Sequence, residues 1–381
     1  MSETRRAGEA PLYRLALLSN AMHQDSYARA FARHLRLRIV AVIDEPGQEP
    51  YVVARNRSLA AEYGVPYVES LDALSDPEID AVSVGAQIER RDRLAVEAAR
   101  RGKHLWLDKP PAATAPRAEA VAAAVAGAGV TALVFSHLAA PWVVALRRTV
   151  QAGAIGDLLA LHLDFHFAKG DARGLATRRV PSGTGPRDVW TFRDAAGGAT
   201  DPTESSHHVI AKRELAEVGW YPLALVQHLC PQPVRRVYAT AGAYFFPEHR
   251  DLGLEDFATL SLTLDGGPVV TLSTGRTGRR SHPAGRMAVR ACGTRGTIAL
   301  DGGQPALLIH GGASAGAGDE RAHRLILAWG DSVGTLALVE HFVACLDGTA
   351  APVLTARQGC ALMRVIDGAY ESVASGQPVD L

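Results

Sequence analysis

The sequence predicts an α/β protein in two parts. The N-terminal part is a doubly wound parallel sheet with helices on both faces. The C-terminal part is a second α/β domain on a large, mostly antiparallel open sheet. Three observations predict this. Short continuous apolar runs alternate with helix-like segments through the first third of the chain, as strands covered on both faces require. From about Leu158 the strands change to an apolar/polar alternation, the mark of a sheet with one covered face. Turns such as Asp265-Gly266-Gly267 and Asp301-Gly302-Gly303 separate some of these later strands.

Taken in order, Arg14–Leu18 is the first apolar strand and Ser26–His34 the first helix. Leu37–Ile43 is a second strand that ends at Asp44, followed by a helix over Tyr51–Tyr63 and a short strand over Val65–Val68. Leu71–Leu74 makes a helical turn, Ile79–Val84 a strand, and Arg91–Arg101 an amphipathic helix. His104–Leu107, the Ala-rich stretch Arg117–Ala128 and Val130–Phe135 complete the unit as strand, helix and strand. The domain boundary is placed between residues 136 and 137, giving parts 12–136 and 137–381. In the second part Leu158–Phe167, Arg236–Ala241, Phe257–Leu264, Val269–Ser273, Met287–Ala291 and Thr297–Leu300 are strands. Gly311–Asp319 is too poor in apolar residues to order itself. The closing helices, Thr335–Leu346 and Gln358–Ser375, are expected to pack back on the first part.

The 381 residues carry 40 basic and 40 acidic side chains, so no net field favours nucleic acid or an anionic membrane as a partner. No apolar run approaches the roughly 20 residues that span a bilayer. Cys230, Cys292, Cys345 and Cys360 form no CxxC pair, which points to reduced thiols and a cytoplasmic protein. Met1–Pro11 is polar and is expected to be a loose tail rather than a signal peptide. His162 and His166 share one side of a strand without a third ligand nearby, so no metal is expected.

Gly102-Lys103-His104-Leu105-Trp106-Leu107-Asp108-Lys109-Pro110 carries the most information. It resembles a signature of the glucose-fructose oxidoreductase / inositol dehydrogenase family, with Asp108 where that family usually has glutamate. The resemblance extends in order along nearly the whole chain. It includes Ala54–Tyr67, Asp76–Val84, Gln151–Asp157, Glu217-Val218-Gly219-Trp220-Tyr221-Pro222, Gly293-Thr294-Arg295-Gly296-Thr297 and Tyr370–Leu381. It implies a Rossmann nucleotide domain, hydride transfer with NAD, and a homodimer or homotetramer joined through the second sheet. Leu161, Leu163, Phe165 and Phe167 would supply an apolar face for that contact.

Family members open with a G-x-G-x-x-G turn, whose glycines let the backbone approach the pyrophosphate at a helix N-terminus. Here the three positions are Ser19, Ala21 and Gln24. Two readings follow: a modified turn in which Ser19, Asn20, Ala21, Met22 and His23 line the dinucleotide, or a loop that no longer binds one. Asp44 stands where an acid takes the ribose hydroxyls and would repel a 2′-phosphate, so NAD is expected over NADP. Gly85-Ala86 replaces the family's threonine-proline near the nicotinamide ribose, and Arg91 occupies a family histidine position. Gly85, Asp108 and Lys109 complete the cofactor set.

For the chemistry, Lys109 is the candidate cation and Tyr221 the candidate acid/base, its phenol expected to be acidified by the ammonium. Glu217, four residues before Tyr221, is expected on the same helix face, orienting substrate. His137, Trp190, Arg193 and His208 are further candidates for the substrate pocket, with His207, Lys212 and Arg213 beside the last of them. The expected reaction is hydride transfer between NAD and a secondary alcohol or ketone of a sugar, cyclitol or sugar-like compound. Two rivals remain open: a non-catalytic binding or partner subunit, and a reductase of an imine or unsaturated bond.

Overall fold

The computed structural model describes residues 11–168, 175–180, 189–194, 213–251, 253–277, 286–301, 306–311, 322–326 and 331–381. The first unit comprises β1 (Tyr13–Leu18), α1 (Gln24–Phe31), β2 (Leu37–Ile43), α2 (Pro50–Tyr63), β3 (Tyr67–Val68), β4 (Ala81–Val84), α3 (Ile88–Arg100), β5 (His104–Leu107), α4 (Ala115–Ala128) and β6 (Ala132–Val134). Its six strands run parallel in the order β3-β2-β1-β4-β5-β6. Leu15 to Leu18, Val82, Val84 and Leu105 to Leu107 are fully buried, because helices cover both faces. The strand order reverses between β1 and β4, and a ligand crevice opens beyond the carboxyl ends of such strands. The expected Rossmann architecture is therefore present.

The second unit adds α5 (Pro141–Gln151), β7 (Leu158–Ala168), β8 (Leu175–Val180), β9 (Val189–Asp194), α6 (Glu214–Glu217), α7 (Trp220–Leu229), β10 (Val234–Gly242), α8 (Pro247–Asp251), β11 (Phe257–Leu264) and β12 (Val269–Thr277). It continues through β13 (Arg286–Gly293), β14 (Gly296–Asp301), β15 (Ala306–Gly311), β16 (Ala322–Ile326), α9 (Asp331–Leu346), α10 (Ala356–Ser375) and β17 (Val379–Asp380). Nine strands form one sheet in the order β16-β15-β14-β13-β7-β12-β11-β10-β17, antiparallel except at β7–β12. β8 and β9 pair separately as a hairpin. Strands β8, β9, β15 and β16 were absent from the sequence expectations, and residues 312–319 of the glycine-rich stretch lie outside the described residues.

One expectation is corrected here. Leu161, Leu163 and Phe165 are buried at 0%, 4% and 5% exposure, and β7 lies against α7 of the same chain. They do not form an uncovered apolar face; the side chain of Phe167 lies outside what is described. The other face of β7 is polar: His162 bonds Thr271 at 2.6 Å, His166 bonds Ser273 at 2.9 Å, and Ser273 donates to Asp164. The alternation was read correctly, but the buried half was assigned to the wrong partner. The apolar argument for a second copy of the chain on this sheet therefore falls.

The last two helices return to the first unit. The α9 residue Phe342 meets Trp106 edge-on at 5.6 Å. The amide of Ala115 donates to Asp367 of α10 at 2.9 Å. A capping box of Thr355 and Gln358 starts α10 in the right place for this contact.

Candidate active site and dinucleotide crevice

Lys109 follows β5 at the carboxyl mouth of the parallel sheet and is joined to Pro110 by a cis peptide. Its side chain is only 4% exposed. The ammonium donates to the Glu217 carbonyl at 2.7 Å and to Glu217 Oε2 at 2.9 Å. It also stands 5.1 Å from the centre of the Tyr221 ring. Burial works against the Lys109 charge, but Glu217, Tyr221 and Asp108 outweigh it and its pKa is raised. The ammonium therefore stays protonated through the neutral range. His137 stacks on Tyr221 with ring centres 4.4 Å apart. Burial, helped by the Lys109 charge, brings the His137 pKa down to about 4, so its imidazole is neutral at pH 7.

Two expectations about this cluster are corrected. Glu217 and Tyr221 are not on one continuous helix: α6 ends at Glu217, and α7 starts at Trp220. The break is tight at Gly219, where a Cβ would lie 2.2 Å from the Leu215 carbonyl. The two side chains come together because both reach Lys109. Nor is the Tyr221 phenol acidified: burial raises its pKa more than Lys109 lowers it.

Asp108 lies one residue before Lys109 and is fully buried. Its carboxylate accepts from the Tyr27 hydroxyl at 2.6 Å, Arg91 Nη2 at 3.1 Å and the Lys109 amide at 2.7 Å, and it lies 3.0 Å from His23 Nδ1. Burial alone would raise its pKa, but His23, Arg91 and Lys109 hold it well below the ordinary carboxylate range. Arg91, also fully buried, ties this carboxylate to the carbonyls of Ala86 and Pro110. The Asp108 carboxyl thus faces inward. It supports the Lys109 loop and anchors His23 of the turn after β1.

That turn keeps a left-handed residue at its head. Ser19 has φ +64°, the one non-glycine positive φ among the described residues. The amides of Ala21 and Met22 both donate to the Gly85 carbonyl at 3.2 Å, so they point into the protein. The first-turn amides of Gln24 and Asp25 have no acceptor among the described residues, and His23 provides no side-chain cap. These open donors fit a pyrophosphate at a helix N-terminus. Arg55 bonds the carbonyls of Ala21 and Met22 and pairs with Asp25 at 2.5 Å, which fixes the turn's shape from α2. The residues here therefore fit a dinucleotide, with the turn, the helix start and Lys109 spanning its phosphate and nicotinamide ends.

Gln24, in place of the third glycine, is completely buried and bonds the Ser83 carbonyl at 2.9 Å. Gly85 makes room for it, because a Cβ there would lie 2.5 Å from Gln24 Oε1 and 2.8 Å from Gln24 Cβ. The missing side chain has moved from the helix to the neighbouring strand end. Gly85→Ala is expected to destabilise the protein by about 1–3 kcal/mol in urea unfolding, as overpacking does. Adding Gln24→Ala should recover much of that loss. Equal stability of Gly85→Ala and the parent would refute the exchange.

At the ribose end the structure departs from the simplest expectation. Asp44 is fully buried, and Arg90 grips both of its oxygens at 2.5 and 3.1 Å. Asn56 donates to it at 2.8 Å, and Arg90 also reaches Ser19 Oγ at 2.7 Å. Glu45 pairs with Arg93 at 2.6 Å. Two acids and two arginines share this end, so it carries no net positive charge for a 2′-phosphate.

The structure brings Lys109, Glu217, Tyr221 and His137 together at one end, and Ser19, Asn20, Ala21, Met22, His23, Asp44 and Gly85 along the crevice. Trp190 and Arg193 lie on β9, with side chains outside what is described, and His207, His208 and Lys212 fall outside the described residues. Sequence reasoning missed Arg90, Arg55, Asn56 and Tyr27. The adjacent arginines at 90 and 91 opening α3 were the available signal for the first of these.

The profile described as "Oxidoreductase family, NAD-binding Rossmann fold" matches residues 19–136. That described as "Oxidoreductase family, C-terminal alpha/beta domain" matches residues 215–381. The oxidoreductase YrbE of Bacillus subtilis is 22% identical over 351 residues, covering 91% of this chain and 90% of its own. A D-xylose dehydrogenase of Paenarthrobacter nicotinovorans is 28% identical over 202 residues, 48% of this chain and 50% of its own. Among solved structures, a levoglucosan dehydrogenase in complex with NADH and levoglucosan superposes with a TM-score of 0.75 at 16% identity, covering 97% of this chain and 99% of that one. Both halves of the chain, the parallel nucleotide sheet and the sheet that follows it, match the same family, and the protein belongs to the glucose-fructose oxidoreductase / inositol dehydrogenase family of oxidoreductases.

Proposed function

We propose that this protein transfers a hydride between NAD and a secondary alcohol or ketone of a sugar, cyclitol or sugar-like molecule. One observation carries the reading: a buried, protonated Lys109 at the mouth of the parallel sheet, held by Glu217 and facing Tyr221 and His137. The D-xylose and levoglucosan dehydrogenases among its relatives support the substrate class. The balanced charges of Asp44, Glu45, Arg90 and Arg93 support NAD over NADP. When bound, the dinucleotide supplies or accepts the hydride. Ser19, Asn20, Ala21, Met22, His23 and Gly85 would hold it, the open amides of α1 taking its phosphates.

Lys109 steadies negative charge on the substrate oxygen. Tyr221 moves the proton at that oxygen, and Glu217 fixes the ammonium. Because the Tyr221 phenol is held protonated, it is poised to donate to a carbonyl oxygen at neutral pH. Alcohol oxidation needs the phenolate, so its kcat/KM should rise with pH into the alkaline range, while reduction stays level until the phenol ionises. Tyr221→Phe should lower both directions by about 10²–10⁴-fold and abolish that rise. A parent oxidation profile that is flat to pH 10 would remove Tyr221 from this role.

The inward Ala21 and Met22 amides favour a second reading, a family member that binds no dinucleotide. Titration of the full chain with NADH and NADPH, followed by fluorescence quenching, decides between the two. Saturable NADH quenching supports the enzyme, and binding of neither nucleotide selects the alternative. Profiling sugars and polyols against imines and enones then tests the substrate class. The four thiols are free and suit a reducing compartment, and we place the protein in the cytoplasm.

A further inference from the structure

A second cavity lies in the C-terminal unit, away from the dinucleotide crevice. It encloses about 320 Å³ between the end of β10, the loop after α8, and α10. That is the lower end of the size range of small-molecule sites. Leu254 and Val373 give it apolar walls, and Arg213, Arg250, Glu255 and Tyr370 its polar groups.

These polar groups are not equivalent. Glu255 is 7% exposed, and its carboxyl is engaged on several sides. The Tyr370 hydroxyl donates to it at 2.7 Å, the Leu215 amide at 3.2 Å and Arg213 Nη1 at 3.3 Å. The Arg213 guanidinium also lies 5.3 Å from the centre of the Tyr370 ring. Arg250 differs. It lines the same cavity, yet its guanidinium makes no ion pair or hydrogen bond with any described residue. The cavity thus holds Arg213, paired with Glu255, and a second guanidinium, that of the exposed Arg250, which has no counter-charge among the described residues. A small anion with a short apolar body matches this lining, its charge on the guanidinium pair and its carbon atoms on Leu254 and Val373.

We propose that this cavity is a binding site for a small organic carboxylate, gripped by Arg250 and Arg213. The site touches the active centre through one element. The Leu215 amide bonded to Glu255 and the Ala216 amide bonded to Tyr370 belong to α6, whose last residue, Glu217, holds Lys109. An anion on Arg213 therefore sits against the anchor of α6.

Titration calorimetry of the full chain with succinate tests the proposal without any dinucleotide or turnover. Saturable binding is expected, weakened at least tenfold in Arg250→Ala and unchanged in Lys109→Met with Glu217→Gln, which leaves no unpaired buried charge on α6. Hydrogen exchange should map succinate protection to residues 213–217 and 243–251, and Arg250→Ala should remove that protection. Three results would overturn the proposal: no saturable heat with the parent, equal binding by Arg250→Ala, or loss of binding in Lys109→Met with Glu217→Gln, which would place succinate in the main crevice. Inorganic phosphate runs in parallel. If phosphate binds through Arg250 and succinate does not, the carboxylate assignment fails. None of these results depends on whether the hydride-transfer reading stands.

Discussion

Replacing Lys109 with methionine is expected to lower kcat/KM for hydride transfer by at least ~10³-fold, since it removes the cation proposed to steady negative charge on the substrate oxygen. It should also cost about 3–5 kcal/mol of stability, because Glu217 would keep a buried charge without its partner. These two losses have different causes and can be separated. In Lys109→Met with Glu217→Gln the buried charge is gone from both sides, so urea unfolding should return most of the stability. Activity should stay at the level of the single variant. A double variant that regains turnover together with stability would show that Lys109 only holds the fold. A single variant within tenfold of the parent rate would exclude it from the chemistry.

The second large effect is expected at Asp108. Asp108→Ala leaves Arg91 buried beside backbone carbonyls with no counter-charge, and it frees Tyr27 and His23 from their acceptor. A loss of about 3–5 kcal/mol at pH 7 is expected from urea unfolding. The pH dependence follows from linkage. The folded-state pKa of Asp108 is depressed, so its contribution is fully present above the unfolded value of about 3.9 and is lost as pH falls toward the folded value. The gap between parent and variant should hold constant from pH 8 to pH 5 and narrow only below about pH 4. A gap that closes near neutrality would mean that the carboxylate is not the charged hub described here. NADH affinity should fall in the same variant, because His23 positions the turn after β1.

Much of the architecture was legible before any coordinates. Continuous apolar strands between helices define a parallel sheet, since only a strand covered on both faces can be apolar throughout. The same logic identified the second sheet from its alternation. The run around Lys109 pointed to the candidate reacting end, because it resembles a family signature at the carboxyl mouth of the parallel sheet. Tyr221 and Glu217 were named as well, and both lie against Lys109, although the geometry that joins them is not the helix face that their spacing suggested.

What stayed hidden depends on pairs far apart in sequence. Nothing near Asp44 announces that Arg90 will cover it, because that pairing arises only once β2 and α3 are laid side by side. The exchange of volume between Gln24 and Gly85 likewise requires α1 to pack over the end of β4. Alternation along β7 shows that one face is buried, but not which element buries it. The direction of the Tyr221 pKa shift depends on burial that no local pattern encodes. The sequence by itself determined the fold class, the order of strands and helices in the first unit, and the lysine proposed to act, because these follow from local periodicity and one contiguous motif. Only the tertiary structure decided which charges cancel, which backbone donors stay open and which phenol stays protonated, because those depend on through-space distance and on exclusion of water.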